Sequence, residues 1–221
     1  MKTLYANGTN YENITILDDD TLLKKTSLPK KEWEAIKKLD FHFVVNPIKI
    51  MENTITMPYL RDYVSLSENK KTITELKIYQ LLLKQMSYIQ ELEKNGIIHC
   101  DIHPNNILLS KTSTDMKLID FDYSIVGDYI SPESIYLEEG LSPELIKLES
   151  LQMDKRDCLG IFFTYLAEGK FFDSLDYSDL SKCNIDKSIK TKINDIINYE
   201  SEIEKEDFLK DELNYLIRTR C

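Results

Sequence analysis

The stretch from residue 96 to residue 122, GIIHCDIHPNNILLSKTSTDMKLIDFD, constrains the fold of this chain more than any other part of it. Its apolar residues are at 97–98, at 107–109, and at 116, 118 and 119. Runs this short are typical of buried strands, and the polar residues at their ends lie at a surface or cleft. Because Mg²⁺ prefers oxygen ligands, Asn106 and Asp120 are candidate metal ligands, and Asp101 remains as a candidate base for a hydroxyl group.

Two motifs in this stretch resemble those of the eukaryotic-type protein kinases. The run His99-Cys100-Asp101-Ile102, followed by Asn106, is similar to the catalytic loop H-R-D-L-x-x-x-N, and Asp120-Phe121-Asp122 is similar to D-F-G. The two motifs together, at a separation that fits one short hairpin, form a specific signal. The resemblance implies an α+β fold with two lobes, and it implies ATP and Mg²⁺ as cofactors.

In this interpretation residues 1–60 form a small, β-rich N-lobe with a short αC helix, and residues 61–221 form a mainly helical C-lobe. Turn-forming residues separate predicted strands, and Pro29 opens a predicted helix. The predicted strands cover residues 4–6, 14–17, 21–26, 43–50 and 54–59, and the helix covers residues 30–39. The G-x-G-x-x-G flap of the family is missing, since only Gly8 is present between the first two strands.

The resemblance also implies an ATP site in the N-lobe. Thr21-Leu22-Leu23-Lys24 resembles V-A-I-K, so Lys24 is the candidate for the α- and β-phosphates. Lys25 remains an alternative, because a shift of one residue moves every side chain of a strand to the other face. Glu32 is the candidate αC glutamate that steadies this lysine, with Glu34 as its alternative. The hinge is expected at about residues 57–62, where Met57, Pro58 and Leu60 would contact the adenine.

In the C-lobe, a capping box at residues 72–75 predicts a long helix that ends at Asn95-Gly96. The catalytic loop is expected at residues 99–106 and the activation segment at residues 120–144. Asp157, in a D-x-x-G pattern, resembles the start of the αF helix and would hold the backbone of the catalytic loop. Two Ser-Pro-Glu tripeptides, at 131–133 and 142–144, compete for the A-P-E position, and spacing favours the second. Glu144 would then pair with Arg218 or Arg220, and further amphipathic helices are predicted at 187–199 and 204–217.

Three residues of the motifs depart from the family pattern. Cys100 replaces the arginine that clamps a phosphorylated activation loop, which predicts a kinase of the non-RD type, active without that phosphate. His103 replaces the lysine of Ser/Thr-specific loops and is similar to the H-x-D-x-H-x-x-N loop of aminoglycoside and choline kinases. Asp122 replaces the flexible glycine of D-F-G and adds a carboxylate near the metal ligands. His99 is expected to be structural.

The composition excludes several classes of partner. A net charge of −10 over 221 residues argues against nucleic acid or an anionic membrane as the main partner. No apolar run approaches 18 residues, and the N-terminus lacks a signal-peptide core. The four cysteines are scattered without a C-x-x-C pattern, which indicates neither zinc nor a disulfide framework. We therefore expect a cytoplasmic protein, in its own cell or in a host cell.

The function that the resemblance implies is transfer of the γ-phosphate of ATP to a Ser or Thr hydroxyl of a protein. The second Ser-Pro-Glu tripeptide and the D-x-x-G pattern favour this over a small-molecule kinase, the alternative that His103 keeps open. A catalytically weak pseudokinase that acts as a binding module is the third hypothesis, suggested by the missing glycine flap and the short αC helix. Asp101, Asn106, Asp120 and Lys24 are the predicted catalytic residues.

Overall fold

A computed structural model describes residues 2–6, 9–18, 20–132 and 141–171, and near the carboxyl end residues 187, 191, 211, 213–215 and 218. Several predictions fall wholly or largely outside these residues. They are the role of Gly8, the second half of the activation segment with Glu133, the pairing of Arg220, and the helices at 187–199 and 204–217.

Five antiparallel strands form the first sheet, in the order β1-β2-β3-β5-β4. They are β1 (Lys2–Ala6), β2 (Thr9–Ile16), β3 (Thr21–Lys25), β4 (Lys49–Ile50) and β5 (Thr54–Pro58). The turn between β2 and β3 is closed by Asp18, whose side chain accepts the N–H groups of Asp20 and Thr21, each at 2.8 Å. Central strand β3 pairs with β5 so that Lys24 lies opposite Ile55.

Helix α1 (Lys30–Leu39) follows β3 and begins directly after Pro29, as the sequence predicts. It ends at Asp40, which has a left-handed backbone (φ 48°) and donates its N–H to the carbonyl of Lys37. Trp33 and Ile36 are three positions apart, lie on one face of the helix and are buried. This face packs α1 into the core, whereas Glu32 lies to one side of it, half-buried.

The remaining described elements follow β5 along the chain. They are β6 (Tyr63–Ser65), α2 (Glu75–Lys94), β7 (Ile97–Ile98), β8 (Ile107–Ser110), β9 (Met116–Leu118), β10 (Ile125–Val126) and α3 (Pro143–Glu168). Strands β6, β8 and β9 form a three-stranded sheet, and β7 pairs with β10. With a sheet-rich first part and long helices later, the described chain confirms the predicted α+β class.

The predicted strand at residues 43–50 is wrong for most of its length. Only its last two residues form a strand, because Asn46 and Pro47 interrupt the run and proline has no N–H for a ladder. The earlier part instead lies against β9: Leu118 donates its N–H to the carbonyl of Phe43 at 2.7 Å, and Val45 donates to the carbonyl of Leu118 at 3.2 Å. This contact joins the first sheet to the hairpin that carries the site.

The capping box at residues 72–75 is also corrected. Helix α2 begins at Glu75, and its N-cap is Thr74, whose hydroxyl accepts the N–H of Lys77 at 3.4 Å. Ile73 is buried outside the helix, and its N–H is bound by the Tyr165 hydroxyl of α3 at 2.7 Å. The helix ends where it was predicted, at Asn95 and Gly96, which has φ 71°.

Helix α3 begins earlier than the sequence motif indicates. Its 26 residues start after Ser142, which caps the helix by accepting the N–H of Leu145 at 3.3 Å, and Pro143 occupies the first turn. A buried stripe at every fourth position runs along the helix: Ile146, Ser150, Asp154, Cys158 and Phe162. Among the described helices, α3 included, none is long and apolar enough to cross a membrane.

Candidate active site

The β8–β9 hairpin brings the two predicted metal ligands to one end. Asn106 directly precedes β8 and Asp120 follows β9, and the strands pair so that Ile107 lies opposite Leu118. The N–H of Ile119 donates to the carbonyl of Asn106 at 3.1 Å. Ile119 directly precedes Asp120 in the chain, so this hydrogen bond keeps Asp120 near Asn106. The separation of the two motifs in the sequence is therefore the length of this hairpin.

Asp101 is held by its own loop. The Asn106 side-chain N–H₂ donates to the Asp101 carboxylate at 2.7 Å and to the Asp101 carbonyl at 3.1 Å. The same carboxylate oxygen lies 3.4 Å from His103 Nε2. Burial alone would raise the pKa of Asp101, but the hydrogen bond and charge of His103 and the hydrogen bond from Asn106 hold that pKa below its ordinary value. Asp101 is therefore ionised at neutral pH, as a base or an orienting carboxylate must be.

The backbone of the catalytic loop is held by Asp154, and the prediction that Asp157 does so is wrong. The Asp154 carboxylate accepts the N–H groups of His99 at 2.8 Å and of Cys100 at 3.2 Å. Asp157 lies nearly one helical turn further along α3, off the buried stripe that includes Asp154, and is therefore only partly buried. Burial raises the pKa of Asp154 to about 8, against the effect of the two N–H donors.

His99 has the structural role that the sequence predicts. Its Nε2 lies 3.0 Å from the carbonyl of Ile119, and since a carbonyl can only accept, this nitrogen carries the proton. The ring lies 4.6 Å from the ring of Phe121, and burial lowers the His99 pKa. A neutral, fully buried imidazole thus ties the catalytic loop to the backbone beside Asp120.

Lys24 reaches this site from β3. Its ammonium lies 2.5 Å from the Asp120 carboxylate and 2.9 Å from the Asp122 carboxylate, and its side chain is 9% exposed. Burial lowers the pKa of Lys24, but the two carboxylates outweigh it and raise the pKa overall. Lys25 is exposed on the opposite face of the strand. Of the two lysines left open by the sequence, the structure therefore brings Lys24 to the carboxylates.

The structure does not bring Glu32 to Lys24. Among the described residues, the ion pairs of Lys24 are with Asp120 and Asp122. The alternative, Glu34, is exposed and lies 3.7 Å from Lys30 on the surface of α1. The reason is the orientation of α1, which turns Trp33 and Ile36 inward and leaves the glutamates on its flank and outer side.

Two residues near Lys24 were not identified from the sequence as part of the site. Trp33 Nε1 donates to the Thr26 hydroxyl at 2.9 Å, and the Thr26 hydroxyl donates to the Asp122 carboxylate. A signal was available for Thr26, because it follows Lys24 by two positions in an extended chain and so shares its face. No comparable signal marks Trp33, whose spacing from Ile36 on one helix face predicts only a core residue.

The predicted hinge lies where β5 leaves the sheet. Met57 is buried opposite Leu22, and Pro58 pairs with Thr21 at the end of the strand. The carbonyl of Leu60 accepts the N–H of Tyr63 at 3.1 Å, so this acceptor is already used by the chain itself. The adenine contacts of these residues stay a prediction.

Glu144 is exposed in the first turn of α3, where a carboxylate is favoured by the helix N-terminus. Its own backbone N–H and the Ser142 side chain lower its pKa. An ion pair with Arg218, itself exposed, is not among those formed by the described residues. In the first Ser-Pro-Glu tripeptide, Ser131 is buried and its hydroxyl donates to the Asp122 carbonyl at 3.0 Å.

The oxygen donors fit a nucleotide-bound magnesium ion. Within the described residues, no group of three or more His, Cys, Asp or Glu side chains could hold a metal by itself. Mg²⁺ in kinase sites is bound by one or two protein side chains together with phosphate oxygens and water. Asp120 and Asn106, at one end of the hairpin, provide a donor set of that kind.

Comparisons with known proteins match the chain to one family. The family model of the protein kinase domain matches residues 16–221. The chain is similar to the dual specificity protein kinase zak2 of Dictyostelium discoideum, with 34% identity over 102 residues, covering 41% of this chain and 16% of that protein. It is also similar to the serine/threonine-protein kinase kin-29 of Caenorhabditis elegans, with 26% identity over 209 residues, covering 90% of this chain and 24% of that protein.

A third relative is the serine/threonine-protein kinase VHS1 of Saccharomyces cerevisiae, 24% identical over 143 residues, which cover 58% of this chain and 31% of that protein. The chain thus spans less than a third of the length of these relatives. The family match, in contrast, runs from the last residue of β2 through the rest of the first sheet and the helical part, and includes every residue of the site described above. The chain belongs to the protein kinase family and has its α+β fold.

Proposed function

We propose that this chain is an ATP- and Mg²⁺-dependent kinase that transfers the γ-phosphate to a Ser or Thr hydroxyl of a protein. The observation that carries the proposal is the convergence of Asp101, Asn106, Asp120 and Lys24 at one end of the β8–β9 hairpin. Phosphoryl transfer needs mainly the positioning of groups and compensation of charge, and these four side chains suit both tasks.

Asp101 would orient the acceptor hydroxyl and take its proton. Asn106 and His103 both contact one carboxylate oxygen of Asp101, Oδ2, so we assign Oδ1 as the atom that accepts the hydroxyl proton. Its lowered pKa keeps it ionised over the physiological range. A positioned base of this type contributes about 10²–10⁴-fold to the rate.

Asn106 and Asp120 would hold Mg²⁺, which when bound to the nucleotide neutralises charge on the β- and γ-phosphates. The Asn106 amide donates its N–H₂ group to Asp101, which orients its carbonyl oxygen for a different partner. Lys24 would contact the α- and β-phosphates, since its ammonium is buried beside Asp120. Asp101 would thus take the proton, Asn106 and Asp120 would bind the metal, and Lys24 would bind the nucleotide, at adjacent positions in one cleft.

The names of two relatives include Ser/Thr specificity, and that of zak2 includes dual specificity. The protein acceptor and the Ser/Thr preference proposed for this chain draw on those names. His103 supports the competing small-molecule acceptor, because it gives the loop its similarity to that of aminoglycoside and choline kinases, and its ring lies 3.4 Å from the Asp101 carboxylate. An assay must therefore offer both kinds of acceptor.

The test is incubation of the full chain with γ-labelled ATP, Mg²⁺ and casein, followed by phosphoamino-acid analysis. We expect label on serine or threonine, a loss of about 10²–10⁴-fold in Asp101→Ala, and a comparable loss in Asp120→Ala. Asp128→Asn is the control, because Asp128 is fully exposed and pairs only with Lys147 at 3.3 Å among the described contacts.

Parallel reactions with an aminoglycoside and with choline test the alternative acceptor. Label on these compounds and not on casein would replace the proposed function with a small-molecule kinase. Nucleotide binding without turnover of any acceptor would favour a binding module instead.

A further inference from the structure

We propose that Asp122 is a positioning residue that replaces the αC glutamate of the family as the ion-pair partner of Lys24. The inference rests on the proposed function, because the position of Lys24 affects catalysis only if Lys24 binds the nucleotide. Asp122 stands where the D-F-G motif has glycine, so the side chain that makes this contact is absent from the usual motif.

Both oxygens of the Asp122 carboxylate are bound. Oδ2 lies 2.9 Å from the Lys24 ammonium, and Oδ1 accepts the hydroxyl hydrogen of Thr26. The side chain is 16% exposed. A carboxylate that is largely buried and bound at both oxygens keeps one orientation, and it therefore fixes the ammonium group beside it.

Thr26 connects this carboxylate to α1. Its hydroxyl accepts Trp33 Nε1 at 2.9 Å and the N–H of Leu28 at 3.2 Å, and donates to Asp122, which uses the hydrogen-bonding capacity of the hydroxyl fully. Trp33 also packs edge-on against Phe121, with ring centroids 5.9 Å apart. Helix α1 thus acts on Lys24 through Trp33, Thr26 and Asp122, and not through a glutamate.

The main chain of Asp122 is fixed as well. The buried Ser131 hydroxyl donates to the Asp122 carbonyl at 3.0 Å, so both the backbone and the side chain of this residue have defined partners. The segment after the motif therefore holds the main chain of Asp122, while Lys24 and Thr26 hold its side chain.

A second carboxylate at Lys24 has a purpose that Asp120 cannot fulfil alone. Asp120 lies 2.5 Å from the ammonium, but it is also the proposed metal ligand. If Asp120 turns its oxygens towards a metal, Asp122 still holds Lys24 in place. Charge supports this arrangement, since one ammonium between two carboxylates leaves a net negative charge that a divalent cation compensates.

The first test measures the Lys24–Asp122 interaction without nucleotide. A double-mutant cycle of Lys24→Met and Asp122→Asn is followed by urea unfolding of the full chain, and a matched cycle pairs Lys24→Met with Glu32→Gln. We expect the effects on the unfolding midpoint to be non-additive for Asp122 and additive for Glu32. The reverse pattern would assign the lysine to Glu32 and overturn the proposal.

The second test measures catalysis. Asp122→Asn keeps the size of the side chain and removes its charge, and we expect the kcat/KM for ATP to fall about 10- to 100-fold with the larger part in KM. Asp128→Asn, the same substitution at an exposed position six residues away, is the control. Equal kinetics for the two variants would contradict a positioning role.

Thr26→Val covers the case in which Asp122→Asn does not fold. It keeps the shape of the side chain and removes the hydroxyl that orients Asp122, which also accepts Trp33 Nε1 and the Leu28 N–H, and we expect a rise in the KM for ATP that is smaller than for Asp122→Asn. An unchanged KM would overturn the inference. If the wild-type chain transfers no phosphate, the proposed function fails, whereas the unfolding cycle still decides whether Asp122 or Glu32 holds Lys24.

Discussion

The two ends of the active site are built in different ways. At the catalytic-loop end, Asp101 and Asn106 are five positions apart in the chain and bind each other directly. At the lysine end, Lys24 is 96 and 98 positions away from the two aspartates it contacts. The first end keeps the spacing of the family motif, and the second has a different set of partners around the lysine.

This difference indicates which end of the site tolerates substitution of a partner residue. Within the catalytic loop, any change in spacing would move Asp101 relative to Asn106, because the backbone between them determines their geometry. Lys24 and its carboxylate partners come from separate elements, so a carboxylate from another element can take over the contact. A carboxylate from the motif after β9 can replace one from α1 if it arrives at the same ammonium.

The largest effect expected at the catalytic-loop end concerns stability. Asp154→Ala would leave the buried N–H groups of His99 and Cys100 without their acceptor, at a cost of about 1–3 kcal/mol for each group. Urea unfolding of the variant and the wild type measures this cost. Asp157→Ala is the matched control on the same helix, and an equal loss in that variant would contradict the role of Asp154.

At the lysine end, the corresponding prediction compares Lys24→Met with Lys25→Met. We expect the first to reduce the kcat/KM for ATP about 10²–10³-fold, the cost of removing one positioned charge donor from a transition state. Lys25 is exposed on the other face of β3, so its substitution should cost far less. The measurement is initial-rate kinetics with varied ATP. A larger loss in Lys25→Met would assign the nucleotide contact to Lys25 instead of Lys24.

The sequence predicts the first end of the site well and the second end poorly, for a physical reason. Asn106 and Asp120 are placed by one hairpin, whose strands are evident from short apolar runs, and Asp101 is bound to Asn106 in the loop before it. The contact between Lys24 and Asp122 depends on how the first sheet meets this hairpin, and no local pattern records that. The spacing of Trp33 and Ile36 predicts the inward face of α1, but it does not by itself show that Glu32 lies to one side of that face and does not reach Lys24.

The D-x-x-G motif also predicts Asp157, and not Asp154, as the residue that holds the catalytic loop. A motif placed the start of the helix at Asp157, although the helix begins at Pro143. The stripe at every fourth position, from Ile146 through Asp154 to Phe162, was present in the sequence and shows which aspartate faces the core. Periodicity over the whole helix was a better guide here than one short motif.

A smaller effect is expected from the titration of Asp154. Burial raises its pKa in the folded chain to about 8, above the ordinary value of 3.8. The folded state therefore binds the proton more tightly than the unfolded state, and this contribution to stability is complete below about pH 4 and is lost as the pH rises through 8. Asp154→Asn does not titrate, so the stability of the wild type relative to this variant should fall between pH 4 and pH 8. A relative stability that rises over that range would mean that Asp154 is ionised in the fold.

The smallest effect, no change at all, is expected from removal of phosphate. Cys100 occupies the position of the arginine that binds a phosphorylated activation loop in the family, and it is buried, with burial raising the pKa of its thiol so that it stays neutral. A neutral buried thiol offers no positive charge to a phosphate group. Treatment with a phosphatase, checked by mass spectrometry and followed by removal of the phosphatase, should leave the rate of phosphotransfer unchanged. Loss of activity after this treatment would mean that another cation performs the task of the missing arginine, and that the catalytic-loop end, too, has been rebuilt with partners from elsewhere in the chain.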